Sequence, residues 1–385
     1  METISGKVLV FTDLHIGLKG AQKNRLAICA RVVKKIIDYT VANGIGTILF
    51  LGDWNHTRVS TENNALNVSY RLMQALAKVA KVYAILGNHD IYMKNSLDIN
   101  SLVIFKDLAN VVLVDKVMEA SINGNKSLLI PWLGDLTAYD KESQDMLFGH
   151  FDISSKFLIK SYVADNSAKG ISDELGKELS TDKDLGSVGD LVGDFVDVAK
   201  KTGKIFSGHI HGHKEFLSKG RWFSFVGSPY QQNLGELGYK CGFYVIDEAN
   251  DAKFVELEGI PKHVEVRVSQ MLKDNFDFSC IKGNIVHKIY DVDIEAADDA
   301  KLSQKINDQQ PYEELMPDYE VALKDTPTTE ITDESIALIK KSKMEYVKRY
   351  VENIDKKTLE AEGLEADKLI AILEEHYDMV TGEDT

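Results

Sequence analysis

The sequence predicts an α/β fold with parallel strand pairing, and three observations carry that reading. Short apolar runs alternate with segments of helical spacing through the first 260 residues. The runs end on short polar tips rich in Asp, Asn and His. Further apolar runs follow densely enough to supply two packed sheets flanked by helices.

Taken in order, Lys7–Thr12 reads as a buried strand ending at Asp13. Asn24–Asn43 has helical spacing, with Ile28, Val32, Val33, Ile36, Ile37 and Val41 on one stripe, and Gly44 and Gly46 close it. Thr47–Leu51 is a second strand, running into Gly52-Asp53. A helix is expected over Glu62–Ala80. Val82–Leu86 is a third strand, ending at Gly87-Asn88-His89-Asp90. Later strands fit Val111–Val114, Ser127–Ile130, Asp145–Phe148, Lys204–Ser207, Trp222–Val226 and Gly242–Ile246. Between them, residues 165–194 are rich in Gly, Ser, Asp and Lys, as a mobile insertion would be.

The character changes after Pro261. Strands are expected at His263–Val268 and Ile285–Ile294 and a helix at Ala300–Asn307, then a turn-rich stretch around Pro311 and Pro317. Thr326–Thr329 reads as a linker. Beyond it, Ile336, Ile339, Met344, Val347, Val351 and Ile354 recur at helical spacing, as do Leu369, Ile372, Leu373, His376, Tyr377 and Val380. The expected organisation is therefore a main domain at 1–260, a small domain at 261–325 and a helical tail at 326–385.

Composition narrows the class. The chain has 385 residues, 44% of them apolar. Its cysteines, Cys29, Cys241 and Cys280, lie far apart, which excludes a disulfide framework or a zinc ribbon. There is no signal-like start and no apolar run of about 18 residues, so a soluble cytoplasmic protein with no membrane contact is expected. A net charge of −15 argues against coating nucleic acid through a broad basic surface. It does not exclude a nucleic-acid enzyme, because carboxylates that hold metals count as negative although the ions reverse the local sign. Residues 326–385 also skew the total, with 15 acidic side chains against 8 basic ones.

The chemistry lies in five strand tips: Asp13-Leu14-His15, Gly52-Asp53, Gly87-Asn88-His89-Asp90, Gly149-His150 and Gly208-His209-Ile210-His211. Sites in α/β sheets form at the carboxyl ends of strands, so these tips are expected to converge. Any one of them is an ordinary turn. Together they gather six of the chain's ten histidines, counting His56 just past Asp53. Imidazole mixed with carboxylate favours Mn, Fe, Zn or Ni over Ca. A pair of such ions about 3.5–4 Å apart clamps the attacking and leaving oxygens of a phosphate ester. His213 is expected to be an exposed histidine outside the group, and His263, His287 and His376 to be structural.

The order of these tips resembles the calcineurin-like metallophosphoesterase superfamily. Within it, Phe11–Gly17, His56 and Arg58 after Asp53, and the run Gly227-Ser228-Pro229 through Gly235-Glu236 resemble the SbcD-type DNA repair nucleases and their relatives in T-even phages. The likeness covers about residues 7–250 by motif. It implies a four-layer α/β/β/α metallophosphoesterase sandwich with a small α+β capping domain and a helical C-terminal tail. It implies that Asp13, His15 and His211 hold a first metal, that Asn88, His150 and His209 hold a second, and that Asp53 bridges them. His89 would act beside the phosphate, Asp90 would orient His89, His56 would position the phosphate and Arg58 would touch the DNA backbone. The expected cofactor is a pair of divalent ions, manganese or alternatively magnesium. The expected partners are DNA, an SMC-like ABC ATPase large subunit docked on the tail, and a second copy of the chain. The helix at Glu62–Ala80, with Leu66, Tyr70, Met73, Ala77 and Val79, is one surface that could form a homodimer. Lys19, Lys23, Arg25, Arg58 and Lys94 are expected to make the cleft locally basic. The expected activity is that of an exonuclease or endonuclease subunit in double-strand-break processing and recombination. The alternative is a metallophosphoesterase acting on small molecules or phosphoproteins.

Overall fold

Strand β2 (Val8–Phe11) is buried along its whole length, which is why its sequence is apolar at every position instead of alternating. Val8 and Val10 face one layer of the core, while Leu9 and Phe11 face the other. The same division holds for β3 (Thr47–Phe50) and β4 (Lys81–Ile85). These strands pair in parallel, β2 with β3 and β3 with β4, and β4 pairs in parallel with β5 (Val111–Val114). On the far side of β2 the pairing is antiparallel, through β12 (Gly242–Ile246) to β13 (Ala252–Glu256). The computed structural model describes residues 1–139, 142–151, 198–199, 201–218, 221–273 and 275–319. Among them the first sheet has six strands, in the order β13-β12-β2-β3-β4-β5.

A second sheet holds β1 (Glu2–Ile4), β6 (Met118–Ile122), β7 (Asn125–Ile130), β8 (Gln144–Gly149), β9 (Thr202–Ser207), β10 (Lys214–Ser218) and β11 (Arg221–Phe225). Its order is β1-β6-β7-β8-β9-β11-β10. The two sheets pack face to face over one apolar layer, in which Val10, Leu49 and Ile85 of the first meet Leu129, Phe148 and Phe206 of the second. The outer face of the first sheet is covered by helices. A distorted turn, α1 (Leu18–Ala21), leads into α2 (Lys23–Ala42), which buries Ile28, Val32, Val33 and Ile36. Tyr39 of α2 packs its ring on Phe243 of β12. Helix α3 (Asn63–Ala77) buries Ala65, Met73, Leu76 and Ala77. On the outer face of the second sheet, Leu128, Leu147, Ile205 and Phe223 pack with Leu136, Phe151 and Val198. The result is the layered α/β sandwich the sequence predicts, with more antiparallel pairing than its strand–helix alternation shows.

The chain divides into two compact units. One is Met1–Val264 with 283–285; the other, among the described residues, is Glu265–Lys282 and 286–319. The second carries most of a three-stranded sheet, β14 (His263–Arg267), β15 (Ile285–Tyr290) and β16 (Glu313–Tyr319), with the short helix α4 (Val268–Met271) and α5 (Ala296–Asp308). Strand β16 occupies a stretch expected to be turn-rich, and it contains Pro317. It lies at the sheet edge, where proline is tolerated. The insertion expected at 165–194 and the tail expected at 326–385 lie outside the described residues. No helix of the described residues is long and apolar enough to cross a membrane.

Candidate metal centre

The loops after β2 and β3 continue the parallel ladder of their strands. Asp13 N–H donates to the Gly52 carbonyl and His15 N–H to that of Asp53, both at 3.0 Å, and Ile16 N–H donates to that of Trp54 at 2.9 Å. To present side chains at the rim, the backbone turns left-handed at Asp13 (φ 53°), His15 (φ 47°) and Asp53 (φ 61°). His209, after β9, does the same at φ 78°. Such conformations are uncommon for these residue types and persist only where surrounding bonds hold them. His209 N–H donates to Asp13 Oδ2 at 3.1 Å, which ties the tip of one sheet to the tip of the other.

Three clusters of donor atoms result among the described residues, His15 with His56 and His89 being one, and the two that include a carboxylate are the candidate ligand groups. Asp13, His15 and His211 bring donor atoms within 4.8 Å of one another, and so do Asp53, His150 and His209. Asn88 joins the second group, its Oδ1 lying 2.9 Å from His150 Nε2 and 3.1 Å from His209 Nδ1. Asp53 stands between them, with Oδ2 3.5 Å from His15 Nε2 and 3.3 Å from His150 Nε2. Asp13, His15, Asp53, Asn88 and His150 are buried, while His209 and His211 are partly open. All seven residues expected as metal ligands are thus brought together.

The donor set fits cations. Asp13 Oδ1 is buried and has no hydrogen-bond partner, an expensive state for a carboxylate oxygen unless a cation meets it. Burial should raise the Asp13 and Asp53 carboxyls, yet the surrounding imidazoles hold both below the usual range, Asp53 well below. Burial should likewise lower His150 and His211. Asp53 beside the first and Glu236 beside the second more than offset it, and both rise to about 9. The two buried carboxylates therefore favour positive charge beside them, which divalent ions would supply in place of these protons.

His56 and His89 sit at the outer edge of these groups. His89 Nδ1 lies 2.6 Å from the His56 carbonyl oxygen, so that nitrogen carries a proton and Nε2 faces outward. His56 Nδ1 lies 3.3 Å from His15 Nδ1. With His15 Nε2 turned to the ligand group, His15 donates through Nδ1, and His56 must carry its own proton on Nε2. Burial, with His15 and His89 nearby, lowers His56 to about 3, so it stays neutral. The two rings stack at 15°. Arg58 approaches from the same side, with Nη2 2.7 Å from the Asn88 amide end, where a flipped amide would offer its oxygen.

Asp90 does something other than expected. It does not touch the His89 ring. Its carboxylate accepts backbone N–H bonds from Asp53 at 2.8 Å, Gly87 at 3.0 Å, and Trp54 and Asn55 at 3.1 Å each. It holds the Asp53 loop to the Asn88 loop, because a carboxylate in a turn reaches nearby amides before it reaches the outward ring beside it. Burial, and then the Asp53 charge, push it up to about 7, against the pull of the Gly87 and Asn55 amides. Arg25 is likewise misplaced in the expectation of a basic cleft. It is 1% exposed and lies 3.4 Å from His263 Nε2, while Lys19, Lys23 and Lys94 are exposed. His213 stacks on Phe254 at 3.7 Å and is half-buried, outside both ligand groups.

Two residues were given no role from the sequence. Trp132 follows β7 and sets its ring 5.3 Å from His209 and 5.9 Å from His150. It sits on a sixth strand tip, Pro131-Trp132, so the tip rule could have found it. Glu236 lies 2.8 Å from His211 Nδ1. Its only signal was a place in the run that opens at Gly227.

Residues 6–213 match the model of the calcineurin-like phosphoesterase family, and the chain belongs to that family, whose members use a dinuclear metal site. It is similar to "Exonuclease subunit 1" of Enterobacteria phage T4, with 23% identity over 258 residues that cover 65% of this chain and 67% of the phage protein. Among solved structures it is similar to one described as a novel archaeal phosphodiesterase, at 12% identity and a TM-score of 0.34, covering 65% of this chain and 99% of that one.

Proposed function

We propose that this metallophosphoesterase is a DNA nuclease using two divalent ions, manganese by preference, and that it serves as the nuclease subunit of an ATP-dependent machine for double-strand-break processing and recombination. The observation that carries the two-ion reading is the place of Asp53, whose Oδ2 faces both His15 and His150. The DNA reading is supported by the likeness to the phage exonuclease subunit.

When bound, the ions supply Lewis acidity to the scissile phosphate and a nucleophile at neutral pH. Asp13, His15 and His211 would hold one, Asn88, His150 and His209 the other, and Asp53 would serve both. A water oxygen would attack phosphorus in line and lose its proton to solvent, as the bond from phosphorus to the sugar oxygen breaks. His89, with its Nδ1–H committed to the His56 carbonyl, would meet the phosphate through Nε2 and, where that nitrogen also carries a proton in the bound state, would pass that proton to the departing oxygen. His56 donates its Nε2–H to a phosphate oxygen. Arg58 would touch the DNA backbone.

A homodimer is part of this reading. Leu66 and Tyr70 of α3 are 38% and 39% exposed, and Val103 and Ile104 are also exposed. Met73 and Ala77, counted on the same face in the sequence, turn inward instead. The small domain beyond residue 260 helps hold DNA, and the segment 326–385 docks the ATPase.

The test is digestion of end-labelled duplex DNA by the full chain with Mn²⁺, Mg²⁺ or EDTA, beside His89→Ala and a small phosphodiester. Metal-dependent shortening that His89→Ala abolishes supports the nuclease. Hydrolysis of the small ester alone, with DNA intact even beside the ATPase, supports the alternative phosphoesterase.

A further inference from the structure

Glu236 takes no part in the reaction above, yet both of its oxygens are committed. Oε2 accepts the Gln232 N–H at 2.7 Å, and Oε1 accepts from Asn233 Nδ2 at 2.9 Å. These donors fix a carboxylate that is only 5% exposed. Oε1 also lies 2.8 Å from His211 Nδ1. A carboxylate there makes His211 donate through Nδ1, which reserves Nε2 for an ion once its own proton has been displaced. That Nε2 faces His15 Nε2 at 3.2 Å and Asp13 Oδ1 at 3.8 Å.

The same stretch of chain also holds Asp13. Gln232 Nε2 donates to the Asp13 carbonyl at 2.9 Å, and Ser228 Oγ to the same oxygen at 3.3 Å. Residues 228–236 therefore brace two members of the Asp13–His15–His211 group, one by its ring and one by its backbone. In the other group, His150 Nδ1 faces a neutral carbonyl, that of Leu51, at 2.7 Å. The two groups differ in what stands behind them.

We propose that Glu236 is a positioning residue for one ion only: it orients His211 and keeps its Nε2 free for the ion held with Asp13 and His15. This rests on the two-ion reading above. A carboxylate behind a ligating imidazole contributes about 10- to 100-fold in ion affinity, and here that gain falls on one of the two binding steps.

The test is a Mn²⁺ titration of the full chain, followed by free-Mn²⁺ paramagnetic resonance and by calorimetry, with thermal unfolding in EDTA as the folding control. Glu236→Gln is expected to weaken one of the two steps about 10- to 100-fold and leave the other in place. In combination with His211→Ala it should add nothing further, since it acts through that ring. Should Glu236→Gln fail to fold, Glu236→Asp carries the same test, because it keeps the charge but draws it back from His211. Two steps unchanged, both weakened alike, or additive losses in the double variant would overturn the inference while leaving the two-ion site standing. A wild-type chain that takes up no Mn²⁺ would overturn both.

Discussion

The carboxylate of Asp90 accepts the backbone N–H of Asp53 at 2.8 Å, so the residue next to His89 in sequence secures the residue between the two ligand groups. Three more amides converge on the same carboxylate. Asp90→Asn would turn an NH₂ toward N–H donors. Above pH 7, where Asp90 is charged, hydrogen bonds to it are worth about 1.5–3 kcal/mol each, so a loss of about 3 kcal/mol is expected there, together with weaker Mn²⁺ uptake. Denaturant unfolding in EDTA measures the first and a titration the second. Unchanged stability with slower turnover alone would return Asp90 to the role of orienting His89.

Gly87 packs directly on Asp53. A methyl group at Gly87 would overlap the Asp53 side chain and amide nitrogen. Gly87→Ala must push the loop aside, at about 1–3 kcal/mol, and the displaced carboxylate should lose both ions. Phosphoesterase activity should fall below detection while the circular dichroism spectrum stays that of the wild type. A variant with full activity would show that Asp53 has room to move.

The ion-free protein should lose stability in alkali. His150 and His211 are raised to about 9, whereas in the unfolded chain a histidine loses its proton near ~6.5. The stabilisation from their charged forms is therefore full below about 6.5 and disappears as pH rises through about 9. Burial holds His15 below its ordinary value and lowers His56 to about 3, so neither contributes to the loss in alkali. Ions entering at pH 7 should displace about two protons, and almost none above about pH 10. Calorimetry in buffers of different ionisation enthalpy counts them. Ion uptake without proton release at pH 7 would contradict the charge balance drawn for the site.

The cysteines should separate by reactivity. Burial pushes the Cys29 and Cys241 thiols up to about 12, and both side chains are buried. At pH 8 only about one in ten thousand of either would be thiolate. Cys280 is exposed and should take a maleimide first. Mass spectrometry after brief labelling of the native chain should find one adduct, at Cys280. A second adduct at comparable rate would mean that the sheet over Cys29 opens.

The sequence by itself determined the candidate ligands. Each follows an apolar strand, most behind a glycine, and parallel strands must deliver their tips to one edge, so Asp13, Asp53, Asn88, His150 and His209 could be named before any fold was known. Their convergence needed only strand direction, a local property of the chain. The tertiary structure decided what stands behind those ligands. Glu236 comes 25 residues after His211, and nothing local to either relates them; only the return of the chain past Asp13 brings carboxylate to imidazole. Arg25 shows the converse. A cation near a strand tip reads as surface, but the helical turn that carries it faces His263, more than two hundred residues away. Asp90 chose amides over a ring because the Asp53 loop folds across it. Long-range packing sets such partners, and one-dimensional spacing carries no record of it.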